Sequence, residues 1–304
     1  MNRGVHRFAL LVACATFFLI IAGANVTSHD AGLATSDWPL SNGQVFPKMV
    51  GNLFWEHGHR LVATAVGLLT IALAIYLRIR ERRSWVKRLG WIALGGVIAQ
   101  GLLGGLTVKM NLPLAVSAAH ATLAQLFFLT TVSLAVFTSR SWQAPGVSIN
   151  EAGQGISLRS LGVMALAVIL GQLVLGATLR HSATWDQPLP TGLLLAHVGG
   201  AAIVTLVLGG TILSVLLKHR TEKYLAKPAM IAAGLLFVQL LLGLAAYVAR
   251  SASPSDPQPL NPMISITVAH VGCGALLFAA TGVLTLRAFR VLRVERQAYV
   301  LAPA

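Results

Sequence analysis

The chain has 304 residues, of which 56% are hydrophobic and only 11% are charged, and its mean hydropathy is +0.74. This composition excludes an ordinary soluble domain. A formal net charge of +14 at pH 7 is compatible with nucleic-acid binding, but the basic residues lie in alternate connections between apolar stretches. We therefore expect no nucleic-acid partner.

Eight apolar stretches are each long enough, at about 20 residues, to cross a lipid bilayer. The first follows Arg3 and Arg7, as a signal peptide does, but it is longer than a signal core of about 7–15 residues. We therefore keep it as a helix and predict an all-α membrane protein with eight transmembrane helices. The predicted helices cover residues 8–26, 56–77, 89–109, 116–138, 160–180, 192–217, 228–249 and 264–286.

The placement of lysine and arginine predicts the orientation of these helices. Loops that face the cytoplasm carry an excess of basic residues. Both termini are therefore predicted to be cytoplasmic, in a multi-pass protein of the cell membrane whose basic faces meet anionic lipid head groups. Of the 23 basic residues, 18 lie at the N-terminus, in residues 78–88, 139–159 and 218–227, or in the tail from Arg287.

The two halves of the chain resemble each other. Residues 100–105 read QGLLGG and residues 239–244 read QLLLGL, and each run precedes a histidine helix with the sequence AAHA or VAHV. Four helices per half give parallel repeats about an axis along the membrane normal, each a four-helix bundle. We predict an N-terminal half at 1–139, a cytoplasmic linker at 140–159 and a C-terminal half at 160–304. No proline is expected in a helix interior, and Pro228 is placed at a helix start.

Four histidines are the main functional candidates. Each is predicted one or two turns inside the outer, extracytoplasmic end of every second helix: His59, His120, His197 and His270. Ionisable side chains within a membrane mark functional sites by default, although a single histidine can simply hydrogen-bond neighbouring helices. Copper or zinc also binds imidazole. Two pairs at one depth favour two haem groups, one in each half.

Only the first half adds charged groups beside its histidine. Glu56, His59 and Arg60 share one helical face, whereas the corresponding face of the sixth helix has Leu194 and Val198 around its histidine. A carboxylate there can accept a proton or anchor a substrate, and Arg60 can pair with it or with a porphyrin propionate. We therefore predict that the first half is reactive. Buried glutamines are expected to support the histidines: Gln100, Gln125, Gln172 and Gln239.

The chain resembles the haem A synthase family over nearly its whole length. The resemblance rests on the Glu-x-x-His-Arg motif at 56–60, the run QGLLGGLTV at 100–108 and the outer-loop run GLATSDWPLSNG at 32–43. It implies that His59 and His120 flank the substrate haem O, with Glu56 as the catalytic carboxylate. The second-half pair, His197 and His270, would ligate a b-type haem.

The same resemblance implies the reaction and the partners. A methyl group of haem O would be oxidised to a formyl group by successive hydroxylations, and the hydrated aldehyde would lose water to give haem A. A haem O synthase and cytochrome c oxidase assembly are the implied partners, and the electron donor stays open. Many members carry a cysteine pair in the first outer loop. This chain has Thr35 and Ser41 there, which rules out a thiol mechanism at those positions.

Two other functions account for part of the pattern. A di-haem b-type membrane cytochrome that transfers electrons from quinol would also need four histidines, but it leaves the asymmetry between Glu56 and Leu194 unexplained. A haem carrier or transporter is less expected, because transporters usually show broken helices.

Overall fold

The computed structural model describes residues 3–143, 149–150, 156–182, 188–251 and 261–293. Eight helices in these ranges are long and apolar enough to cross a membrane, which confirms the predicted class of multi-pass, all-helical membrane protein. They are α1 (Arg3–Ser28), α2 (Asn52–Arg80), α3 (Ser84–Lys109), α4 (Leu114–Thr138), α6 (Leu158–His181), α7 (Thr191–Lys218), α8 (Lys223–Ser251) and α9 (Asn261–Val291). A single turn, α5 (Arg140–Gln143), follows α4.

The helices extend up to five residues beyond the predicted apolar stretches. Helical hydrogen bonding continues into the head-group region, where charged side chains are solvated and hydropathy gives no signal. One prediction fails for this reason. Because α8 begins at Lys223, Pro228 lies inside the helix and not at its start. Proline has no backbone N–H, so residue 228 donates no helical hydrogen bond.

Each set of four long helices closes into a ring. In the first set α1 packs on α2 and α4, and α3 packs on α2 and α4; α6 to α9 repeat this order. Each ring has its own apolar core, formed in the first by side chains such as Leu73 and Leu134 and in the second by Leu208 and Phe278. The rings meet where α9 contacts α1 and α4, and where α4 contacts α6.

Small residues of α9 allow this close approach between the rings. A Cβ on Gly272 would lie 2.6 Å from Ile21 Cδ1 of α1, and a Cβ on Gly282 would collide with Leu129 of α4. At one end of the molecule Arg287 of α9 donates to Ser141 Oγ (2.6 Å) and stacks over Trp142. A two-residue strand β1 (Ile149–Asn150) pairs in parallel with β2 (Leu292–Arg293), which directly follows α9 in the chain.

Candidate functional site

The four histidines lie near the starts of α2, α4, α7 and α9, six to nine residues from the first residue of each helix. At about 1.5 Å per residue, this places them about 9–14 Å along their helices. Local sequence sets these starts: Gly51 adopts a φ of 59° before α2, and Pro113 and Pro190 precede α4 and α7. Glycine adopts a positive φ without steric cost. Proline disfavours the helical conformation for the residue before it, so a helix readily begins just after it.

Every one of the four imidazoles packs edge-on against a glycine of the preceding long helix. A Cβ on any of these glycines would lie 3.0–3.1 Å from the imidazole Cε1. That separation is tighter than ordinary van der Waals contact, so only glycine leaves the ring unhindered. The pairs are Gly23 with His59, Gly104 with His120, Gly176 with His197 and Gly243 with His270.

Three of these glycines have a glutamine one turn earlier in the same helix. Gln100 donates to the carbonyl oxygen of His120, and Gln172 donates to that of His197, both at 2.8 Å. Gln239 Nε2 lies 3.3 Å from His270 Nε2. The corresponding residue of α1 is Leu19. Within the described residues, His59 is thus the histidine without this amide support.

The second-half pair has the spacing of two imidazoles around one metal ion. The ring centroids of His197 and His270 are 6.4 Å apart and their planes are inclined by 71°. Two metal–nitrogen bonds of about 2.0–2.1 Å, together with two imidazole radii, span about 6–6.5 Å. A planar iron group between these rings therefore fits the side chains present.

Unsatisfied nitrogen atoms point to the same use. Nδ1 of His59, His120 and His270 is buried and has no hydrogen-bond partner among the residues that the structure describes. Buried polar atoms are normally paired, and exceptions call for a missing ligand or solvent. Together with the glycine contacts, these atoms indicate that the rings of His59 and His120 are available to a ligand, whereas the rings of His197 and His270 also lie within hydrogen-bond distance of Gln172 and Gln239.

Glu56 is buried, with 4% of its surface exposed, and both of its oxygens are held. Oε2 accepts a hydrogen bond from the backbone N–H of Thr35 (3.0 Å), and Oε1 pairs with Arg60 Nη2. The other Arg60 nitrogen, Nη1, donates to the carbonyl oxygens of Asp37 (2.9 Å) and Leu40 (2.6 Å). The carboxylate is thereby fixed between α2 and the outer loop at residues 29–51.

His57 anchors this outer loop, a role that the sequence pattern did not reveal. Its Nε2 donates to the carbonyl oxygen of Val45 (2.9 Å), and its Nδ1 accepts from Ser41 Oγ (2.8 Å). Ser41 is fully buried and also accepts from Arg60 Nη1 (3.1 Å). Polar contacts of Thr35 and Ser41 therefore hold the loop at the two positions for which the family resemblance implies cysteines.

Asp37 organises the turn of the same loop. The backbone N–H groups of Gly43 (2.8 Å) and Asn42 (2.9 Å) donate to its carboxylate, as does the hydroxyl of Thr35. These donors, led by Gly43, hold the pKa of Asp37 well below its usual range. The carboxylate is therefore ionised at neutral pH and keeps the turn closed. Trp38 beside it packs flat on Gly105 of α3.

Comparison with known proteins agrees with this arrangement. A family model described as "Cytochrome oxidase assembly protein" (COX15-CtaA) matches residues 48–191. A protein of Symbiobacterium thermophilum named "Heme A synthase" is 32% identical over 228 residues, which cover 68% of this chain and 74% of that protein. The chain belongs to the haem A synthase family.

Two further proteins named "Heme A synthase" are more distant. The one from Bacillus licheniformis is 25% identical over 60% of this chain, and the one from Lysinibacillus sphaericus is 27% identical over 60% of it. The matches span 61% and 59% of those two proteins, so about three fifths of each haem A synthase is represented. Residues 48–191 include Glu56, His59 and His120.

The structure brings together Glu56, Arg60 and His59 as the motif predicted, and it brings His197 close to His270. Hydrogen bonds to histidine helices confirm the expectation for Gln100 and Gln172, whereas Gln125 makes none among the described residues. The catalytic and ligand roles of these residues stay predictions. The four glycines were missed, although three of them follow a glutamine by four residues, a spacing that points both side chains to one helix face.

Proposed function

We propose that this chain is an enzyme of haem A biosynthesis that oxidises the methyl group of haem O to a formyl group. Two successive hydroxylations of the methyl carbon, each a two-electron oxidation with dioxygen or another external acceptor as oxidant, would give a hydrated aldehyde, which would lose water to yield haem A. One observation carries the proposal: both halves present histidines on glycine contacts, but among the residues that the structure describes only the first half adds a held carboxylate, Glu56. Membership of the haem A synthase family supports the substrate.

The second half would hold a b-type haem as the resident cofactor. His197 and His270 would hold it, since their rings have a spacing suited to one metal ion between them. Such a group would supply one-electron transfer. Gln172 fixes the backbone of His197, and Gln239 lies beside the His270 ring; both keep the imidazoles oriented.

The first half would bind haem O between His59 and His120. Glu56 would hold a proton, or a hydrogen bond, at one of its oxygens next to the reacting methyl group. Arg60 and the Thr35 N–H keep those oxygens from turning away, and an ionised carboxylate with two donors still has lone pairs to offer. We keep Arg60 as a predicted contact for the substrate, although its Nη atoms already hold Glu56 and the loop.

The helices would have a fixed orientation in the cell membrane. The two rings of helices would be parallel repeats, 1–139 and 160–304, joined by a cytoplasmic linker at 140–159. Both termini would be cytoplasmic and the histidines would lie toward the extracytoplasmic side of the cell membrane. A haem O synthase would deliver the substrate, and cytochrome c oxidase assembly would take the product. The electron donor is open.

Haem analysis of Glu56→Gln tests the proposal. The protein is purified from cells that make haem O, its haems are extracted with acidified solvent, and they are separated by chromatography with mass detection. The variant should keep haem B and lose haem A formation by about 100-fold or more, the usual contribution of a proton-transferring group. Glu222→Gln, at the opposite helix ends, is the matched control and should form haem A normally. Unchanged product from Glu56→Gln would overturn the role of Glu56.

Stoichiometry tests the wider assignment. The wild-type protein should contain one haem B per chain together with haem O, a hydroxylated intermediate or haem A. His270→Ala should lose haem B, whereas His59→Ala should keep haem B and lose the substrate and product. Two haem B per chain, with no haem O or haem A, would overturn the synthase proposal in favour of an electron-transfer cytochrome.

A further inference from the structure

A cavity of about 1020 Å³ lies at the end of the first helix ring opposite the histidines. It opens between the start of α1, the α2–α3 turn, the end of α4 and the end of α9. Five arginines and one glutamate are among its lining residues: Arg3, Arg80, Arg82, Arg83, Arg290 and Glu81. The haem chemistry proposed above uses none of these groups.

The single acidic group of the cavity is already neutralised. Arg83 holds Glu81 through two contacts, Nη2 to Oε2 at 2.8 Å and Nε to Oε1 at 3.0 Å. This pairing lowers the pKa of Glu81 to about 2, so the pair is ionised and carries no net charge at neutral pH. Arg80 and Arg82, in contrast, make no side-chain hydrogen bond or ion pair within the described residues.

Backbone and aromatic groups complete an anion site of a recognisable kind. The α3 helix begins at Ser84 without a side-chain cap, so its first N–H groups and its dipole favour an anion there. Trp85 and Trp142 line the cavity as an aromatic wall, and Phe137 packs between them, with ring centroids 4.8 Å from Trp85 and 4.9 Å from Trp142. Trp85 is 45% exposed, as expected of an aromatic side chain at a membrane interface.

We propose that this arginine cavity binds a phosphate group, carried either by an anionic phospholipid head group or by a free phosphate. Arg80 and Arg82 would bind the phosphate oxygens, and the aromatic wall would contact the glycerol and upper acyl carbons when the carrier is a lipid. Basic pockets between helices at the cytoplasmic side are suited to such head groups. Arginine matches phosphate because its planar guanidinium donates two parallel hydrogen bonds.

Binding measurements on the full-length, haem-loaded protein in uncharged detergent test this. Native mass spectrometry would be titrated with phosphatidylglycerol, with phosphatidylcholine and with inorganic phosphate. We expect phosphatidylglycerol to bind about tenfold more tightly than phosphatidylcholine. If inorganic phosphate competes at similar concentrations, the free anion is the ligand; if it does not, the lipid is.

The variant Arg80→Gln/Arg82→Gln should lose that binding by about tenfold or more. The matched control, Arg78→Gln/Arg88→Gln, removes the same charge from exposed positions outside the cavity and should bind as the wild type does. Haem B content reports folding, and Arg80→Lys/Arg82→Lys should restore part of the affinity. Equal losses in the cavity variant and the control, or no binding by any probe, would overturn the proposal.

Discussion

Four glycines determine how close a backbone can come to each imidazole. They lie on four different helices, and a methyl group on any of them would lie only 3.0–3.1 Å from a carbon of the ring. Porphyrin ligation needs the imidazole nitrogen directed at the iron, so a residue that rotates the ring acts on the ligand without touching it. Position, and not chemical reactivity, is what these residues contribute.

Gly243→Val should therefore reduce haem B occupancy by about tenfold, because a side chain would meet His270 Cε1 at 3.1 Å and turn the ring. Absorbance of the extracted haem per protein is the measurement. Gly234→Val, in the same helix, is the control, since a Cβ at Gly234 meets nothing within 4 Å. Equal haem loss in the two variants would mean that the change acts on α8 as a whole.

For single residues, the sequence predicted which side chains are candidates for the site better than it predicted their hydrogen-bond partners. Depth and spacing identified the histidines and the Glu56–Arg60 face, because helical periodicity places residues three and four apart together. The Thr35 N–H bond to Glu56 was out of reach, since it joins residues 21 apart through a loop of irregular backbone. His57 lies off the Glu56–Arg60 face of α2, and it anchors that loop through Ser41 and Val45.

The outer loop at residues 29–51 is the element that controls Glu56. Several of its large side chains are exposed, including Val45 at 59% and Phe46 at 79%, while Trp38 packs on Gly105. Its order also depends on hydrogen bonds to Ser41, Asp37 and Arg60. Such loops open at lower free energy than helices do.

Ser41→Ala should loosen this loop, because His57 Nδ1 and one Arg60 bond each lose a buried partner, a loss of about 1–3 kcal/mol. Hydrogen–deuterium exchange of residues 29–51 should then accelerate while the helices stay protected. Ser36→Ala alters an exposed serine of the same loop and should leave exchange unchanged. The network would be dispensable if both variants exchanged alike.

The pH dependence of this loop follows from Asp37. Its folded pKa is depressed by donors from Gly43, Thr35 and Asn42, so the carboxylate stabilises the loop fully above its ordinary pKa of about 3.9. That contribution is lost only as pH falls below this value toward the folded pKa. The Asp37 contribution, measured as the difference in loop exchange between Asp37→Asn and the wild type after correction for intrinsic rates, should thus be constant from pH 8 to 5. A difference that shrinks between pH 7 and 5 would contradict the assignment.

The described helices form two rings, which meet where α9 packs on α1 and α4 and where α4 packs on α6. Apolar side chains and small residues make this junction, with Gly272 against Ile21 and Gly282 against Leu129. In a membrane, helices associate through close packing because lipid is as apolar as the side chains themselves. The stability of the contact between the rings should thus depend on the side-chain volume at the small residues of α9.

Gly282→Ile should destabilise the protein by about 1–3 kcal/mol, since the added side chain overlaps Leu129 in a packed interface. Thermal unfolding of the haem-loaded protein is the measurement. Gly210→Ile is the control, because Gly210 is exposed on α7 and a Cβ there meets nothing within 4 Å. A Gly282→Ile protein as stable as the control would show that the rings do not stabilise each other.

Hydropathy predicted the number and order of the helices, because about 20 apolar residues are needed to cross a bilayer. It missed the helix ends by up to five residues and misplaced Pro228, since polar turns beyond the bilayer core carry no hydropathy signal. The periodicity of apolar residues could not predict that α9 contacts α1 and α4. Small residues occur on several faces of α9, and only the folded chain selects among them.

Leu19 of α1 stands where α3, α6 and α8 each carry a glutamine beside a histidine. A resident cofactor and a substrate make opposite demands on dwell time, because one must stay through every turnover and the other must leave at its end. Both imidazoles of the second half have an amide to steady them, whereas His59 has none at this position. In the proposed assignment the first half would exchange its haem and the second half would keep it, and the leucine beside His59 would contribute to that difference in lifetime.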